Sequence, residues 1–345
     1  MNQAPQHDPG LLRTLVGDGR SLLALVALAL MFSGAFALFL SATGHFLPHD
    51  VRFLGMQKEQ LCGINQCRIV HFMFHDRVSF GGALIAIGIL YLWLLAFPLK
   101  AGEPWAWWTF LVSGIAGFGS FLAYLGYGYL DSWHGVATLF LLPIEIAGLV
   151  ITWRALPKKS DFSSLFLPPA SPPWMWREGV ARWLLLFTGI GLAMAGTTIL
   201  IVGMTCVFVP QDIRYIGLTA SEFQTINPRL IPLIAHDRAG FGGGIATCGL
   251  TLFLCVWCGK PSRALWQALV LAGAIGFITA IGVHPLIGYN DFGHLAPAYA
   301  GAILFTAGAI LSYQPMCRRV ALPAGISTAT SAFEGAGAPP RRSDA

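Results

Sequence analysis

Eight stretches of this chain, roughly 21–43, 76–98, 105–127, 134–153, 184–208, 237–258, 264–287 and 294–313, are each apolar for about twenty residues. That is the length a helix needs to cross the hydrocarbon of a bilayer. Lipid offers no hydrogen bonds to a polypeptide backbone, so runs of this kind fold as helices that satisfy their own N–H and C=O groups. The rest of the composition agrees: 55% of the 345 residues are hydrophobic and only 11% charged, which excludes an ordinary soluble domain. The sequence therefore predicts an all-α polytopic membrane protein with eight transmembrane helices and the lipid bilayer as its first partner.

Lys and Arg fix the expected orientation. Arg13, Arg20, Lys100, Arg154, Lys158, Lys159, Arg177, Arg182, Lys260, Arg263, Arg318 and Arg319 all fall on one side of the eight spans. That side is read as cytoplasmic, with both termini on it and the protein in the cell's inner (plasma) membrane. The net charge of +5 is accounted for by this belt and implies no nucleic acid partner. Segments 44–75, 128–133, 209–236 and 288–293 then face outward.

The two halves of the chain repeat one another. "LPHDVRFLGM" (47–56) matches "VPQDIRYIGL" (209–218), Asn65 and Arg68 match Asn227 and Arg229, "HDRVSFGG" matches "HDRAGFGG", and "GYLDSWH" (128–134) matches "GYNDFGH" (288–294). These blocks recur in order at offsets of 160 to 162 residues. Each unit has an even number of helices, so the halves insert the same way up, as two tandem parallel four-helix bundles. The expected organisation is a cytoplasmic leader (1–20), a first repeat (21–155) with outer loop 44–75, a cytoplasmic linker (156–182), a second repeat (183–314) with outer loop 209–236, and a disordered cytoplasmic tail (315–345). Since 21–43 pairs with 184–208, the first apolar run is retained rather than cleaved as a signal peptide.

Within each repeat two histidines fall near the outer ends of the second and fourth helices: His75 with His134, and His236 with His294. Ionisable groups at that depth are costly unless paired or used. Two imidazoles from neighbouring helices can clamp a planar cofactor, and bis-imidazole ligation of a b-type haem is the chemistry that asks for such a pair. Arg77 and Arg238, with Arg52, Arg68, Arg214 and Arg229, are candidate partners for haem propionates. Asp76 and Asp237, or Asp131 and Asp291, are candidates to orient imidazoles. Gly81, Gly82, Gly242, Gly243 and Gly244 leave room for a macrocycle or for close helix approach. The plainer alternative makes each His-Asp-Arg triplet an interfacial helix cap. For Asp50, Arg52, Asp212 and Arg214 an outer-loop salt bridge is expected, and for Phe80 and Phe241 packing.

The first half also carries groups that the second lacks. Cys62 and Cys67 lie in the first outer loop, where an oxidising compartment favours a disulfide, with a redox role open to it. The alternative is a copper or zinc site with His45, His49 or His71. Glu145, eleven residues beyond His134, lies about 16 Å further along its helix, near mid-membrane; its counterpart is Phe305. It is a proton-handling candidate and, with Cys62 and Cys67, a candidate catalytic residue. Cys255 and Cys258 are read as packing residues, Trp105, Trp107 and Trp108 as an interfacial aromatic belt, and His284, which has no counterpart, is given no role.

The eight helices, the two four-helix units, the paired histidines and the Cys62–Cys67 pair resemble the heme A synthase family. Phe72 stands where that family carries an acidic residue, and Asp76 intervenes between His75 and Arg77. The resemblance implies haem binding and membrane redox chemistry, with oxidation of a haem side chain, electron transfer and work with a quinone or another membrane redox partner all open. Two other classes remain: a copper-handling outer-face protein built on the first loop, and a proton-coupled transporter or structural subunit using Glu145.

Overall fold

The structure is a computed structural model that describes residues 16–122, 128–129, 131–166 and 176–318. Most of the leader, residues 123–127 of the third expected span, the Pro-rich part of the linker (167–175) and the tail from 319 lie outside the described residues. What is described is all helical. Eight long helices, each long and apolar enough to cross a membrane, are α1 (Arg20–Thr43), α4 (Arg68–Leu94), α5 (Pro104–Leu122), α6 (Ser132–Ala155), α7 (Arg177–Met204), α10 (Leu230–Cys258), α11 (Arg263–Ile287) and α12 (Phe292–Cys317). The α4 helix runs on through a π-helical turn at Leu95–Leu99 that accommodates Pro98.

The expected outer loops are themselves helical. Pro48–Leu54 (α2) and Lys58–Ile64 (α3) in the first half correspond to Pro210–Ile216 (α8) and Ala220–Ile226 (α9) in the second. Pro48 and Pro210 open their helices, where a missing N–H costs nothing, and Gly55 and Gly217 close them at φ of 65° and 75°. Both following long helices start well before the apolar runs. Ile69, Val70, Phe72 and Met73 of α4, and Leu230, Leu233 and Ile234 of α10, are buried in a second apolar core beneath the short helices. The His-Asp-Arg triplets consequently lie two turns inside α4 and α10, rather than at their starts, which sets aside the helix-cap reading.

The long helices do not keep to their own halves. Of the most apolar stretches of α4 and α10, 72% and 67% is buried, against 22% for α1, α6, α11 and α12, so α4 and α10 are the central pair. They pack on one another, α4 also on α1 and α11, and α10 also on α7 and α5. The third helix of each half thus packs on the second helix of the other.

Glycines set these crossings. Gly34 meets Gly81 and, at the repeat-equivalent place, Gly196 meets Gly242, each so closely that a Cβ would run into the facing backbone. Gly82 faces the Thr279 side chain and Gly243 faces Ser120. These glycines therefore serve helix approach. Gly242→Val is expected to lower stability by about 1–3 kcal/mol through overpacking, read as a lower midpoint in detergent thermal unfolding, with Gly81→Val behaving alike. Cys255 and Cys258 are buried in the inner core, as packing residues. Trp107 and Trp108 pack with Trp153.

Candidate functional site

The three side chains of a triplet leave a helix about 100° apart, so a histidine and the arginine two positions later point about 200° apart. Because α4 and α10 lie side by side, each triplet serves both sides of the pair. Arg77 donates to Asp237 of the other triplet (2.8 and 3.3 Å) and to Asp50 of α2 (2.7 Å). Arg238 answers with Asp212 of α8 and the Val207 carbonyl (2.7 Å), and forms a longer ion pair with Asp76 (3.6 Å). The Tyr129 hydroxyl donates to Asp50 (2.6 Å) and that of Tyr289 to Asp212 (2.7 Å). Burial alone would push the Asp50 and Asp212 carboxyls upward, but Arg77 and Tyr129, and Arg238 and Tyr289, hold both below the usual carboxylate range.

The short helices brace the halves in the same reciprocal way. Asn65 donates to the Ile216 carbonyl (2.6 Å) and Asn227 to that of Leu54 (2.8 Å), while Arg68 reaches Tyr215 O (3.2 Å) and Arg229 reaches Phe53 O (2.7 Å). Arg214 pairs with Asp291 (3.2 Å). Of the outer-loop salt bridges expected, Arg214 pairs with Asp291, Asp50 and Asp212 pair instead with arginines of the long helices, and among the described residues Arg52 forms none. Arg77 and Arg238 are occupied by carboxylates, so the expectation that they serve propionates is corrected.

The histidine pairing is corrected as well. His75 lies with His284 and His294, and His134 with His236 and Asp131; in each trio the candidate ligand atoms are all within 4.8 Å of one another. Neither within-repeat pair, His75 with His134 or His236 with His294, is formed. His75 Nε2 is 3.0 Å from His284 Nε2, and its Nδ1 is held by Asp76 at 2.8 Å. The His294 ring stacks on Tyr289 at 4.5 Å and lies 5.6 Å from the His75 ring. His284, read as having no role, belongs to this cluster because α11 crosses onto α4. Its own sequence carried the signal: an ionisable residue in an apolar helix.

In the other trio His134 Nδ1 is 3.2 Å from His236 Nε2 and 2.6 Å from Asp131, which also takes His49 at 3.0 Å. Asp131 and Asp291 cap their helices, accepting from the His134 and His294 N–H groups at 3.2 and 2.9 Å. Burial would raise the Asp131 carboxyl, but hydrogen bonds from His134, His236 and His49 hold it far below the usual range. Burial would lower His49, yet Asp131 and then Asp50 outweigh it and leave the imidazole above its ordinary value. A raised histidine stabilises most when fully protonated, below about pH 6.5, and loses that contribution as pH climbs through its folded value. The thermal midpoint is therefore expected to fall between pH 6 and pH 8.5, and to fall less in His49→Gln.

Each trio stands at the head of an apolar cavity. The first, of about 360 Å³, is walled by α1, α4, α5, α6 and α10 and runs from His134 and His236 down to Glu145. The second, of about 630 Å³, is walled by α4, α7, α10, α11 and α12 below His75, His284 and His294. Phe80 packs against His134 and Phe241 against His75.

Cys62 and Cys67 are joined as a disulfide between α3 and the start of α4, so neither offers a thiolate to a metal. Among the described residues, the groups of three or more His, Cys, Asp or Glu side chains close enough to share one ion are the two trios, and the first outer loop forms none. Neither a protein-family model, nor a curated protein, nor a solved structure matches this chain.

Proposed function

We propose that this chain is a membrane oxidoreductase or electron-transfer protein built around a histidine-ligated redox metal centre in the second cavity, with haem iron as the leading occupant. The carrying observation is the meeting of His75, His284 and His294 from three different helices, with His75 Nδ1 fixed by Asp76. A carboxylate on the far nitrogen of an imidazole is how proteins fix the tautomer and orientation of a metal ligand.

Haem fits the donors and the space. Neutral imidazoles are ligands of haem iron, and the apolar cavity beside them is of cofactor size. His75 and His294 would hold the iron, with His284 beside them. A haem there would supply one-electron exchange. The chain's own part is to orient the imidazoles through Asp76 and to exclude water with Phe241 and the small residues of α11 and α12.

A single copper or other transition-metal ion is the second reading. Three imidazoles suit it, the 3.0 Å separation is near the roughly 3.3 Å of a tetrahedral ion, and Asp76 and Asp212 against one Arg238 leave an excess of negative charge.

In this reading the eight helices cross the inner (plasma) membrane with both termini in the cytoplasm and the histidines towards the outer face. The two parallel repeats interleave through α4 and α10 instead of standing as separate bundles. The test is a reduced-minus-oxidised visible spectrum of detergent-purified protein with metal content per chain. Low-spin haem bands with iron support the first form, and copper without such bands supports the second. Metal-free, colourless protein from cells supplied with both would overturn the proposal.

A further inference from the structure

The inner end of the first cavity holds a buried carboxyl. Glu145 is 3% exposed, and among the described residues its Oε1 has no hydrogen-bond partner. The carboxyl sits against Gly114 of α5, in a notch that any side chain at 114 would fill. The second half builds the same notch at Gly273 of α11 and fills it with the Phe305 ring. Packing alone is thus satisfied by a phenyl group at this place. The first half instead leaves a carboxyl facing the cavity, beside Tyr91 and Ser113, whose hydroxyls bond each other at 2.7 Å.

The route to that carboxyl is apolar. Gly148 of α6 faces Leu22 and Leu23 of α1 towards the inner ends. Further out, the cavity rim is formed by the outward-facing Phe32, Phe36 and Trp133. A molecule entering between these helices must carry its polar atoms on an apolar body.

We propose that the first cavity binds a lipid-borne quinone or quinol whose ring oxygen meets Glu145. The carboxylate accepts from a quinol hydroxyl and the carboxylic acid donates to a quinone carbonyl, so one side chain serves both redox states of this class. A plain hydrocarbon lipid leaves Oε1 unsatisfied, which is costly in an apolar site. The inference concerns binding, and it is independent of whether the second cavity holds haem, copper or neither.

The test titrates decylubiquinol, and decylbenzene as the same tail without oxygens, against the full chain in nanodiscs, with the visible spectrum recorded on the same samples. Wild-type protein is expected to prefer decylubiquinol by about tenfold or more, and Glu145→Leu to erase that preference while leaving the spectrum unchanged. Glu145→Gln, which keeps the shape and a hydrogen-bonding head, is expected to retain most of it. Equal binding of the two probes by wild-type protein, or an undiminished preference in Glu145→Leu, would overturn the inference. Should Glu145→Leu not assemble, the wild-type preference and the Gln variant decide. Failure of the metal reading would show in the spectrum alone.

Discussion

His75→Ala protein is expected to lose the metal signal of the second cavity, retaining less than about a tenth of the wild-type metal per chain. His75 contributes the nitrogen nearest another ligand candidate of its trio and, among the described residues, the trio's one imidazole held by a neighbouring carboxylate, Asp76. His294→Ala should remove the same signal, and His284→Ala should weaken it for a bare ion more than for haem, which would take two of the three imidazoles. The informative control is His134→Ala. A within-repeat clamp would make His134 the partner of His75, whereas the structure puts His134 in the other cavity with His236 and Asp131. Metal analysis and difference spectra of the four variants decide between these pairings. Loss of the His75-dependent signal in His134→Ala, with His294→Ala unaffected, would refute the cross-repeat arrangement.

The sequence announced the helices because a bilayer-length apolar run has few other ways to satisfy its backbone, and it announced the repeat because whole blocks recur. The recurring Asp50, Asp212, Tyr129 and Tyr289 also proved to be structural pairs, with Arg77 and Arg238 as the shared centres. Partner choice was hidden. Helical spacing shows that His75 and Arg77 point nearly opposite ways, but the direction each faces depends on how α4 docks on α11 and α10 on α5, and that docking is written in Gly82 against Thr279 and Gly243 against Ser120. Nothing in a one-dimensional pattern says that a glycine faces a threonine two hundred residues away. His284 is hidden for a related reason: it has no repeat counterpart, so comparing the two halves gives it no signal.

Removing the Arg238 guanidinium is expected to have the largest effect on folding. Arg238 is 4% exposed and its partners Asp212 and Asp76 are fully enclosed, so Arg238→Met leaves two buried carboxylates without their counter-charge. Breaking a buried pair from one side typically costs about 3–5 kcal/mol, because the remaining charge keeps its desolvation penalty and loses its attraction. The expected result is a thermal midpoint in detergent far below wild type, or no assembled protein. Arg77→Met should cost less, since Arg77 is 15% exposed and water can reach part of its site. A triple variant, Arg238→Met with Asp212→Asn and Asp76→Asn, should recover much of the loss, because neutral amides need no counter-charge and Tyr289 can still donate to position 212. If Arg238→Met alone melts within about 1 kcal/mol of wild type, the clasp contributes little, and the recurrence of the triplet needs another cause. If it collapses and the triple variant recovers, each triplet's arginine holds the short helix of its own half and the aspartate of the other triplet through buried charge. In that case neither triplet can drift in sequence without the other half feeling it, and the duplication is preserved where the two halves touch.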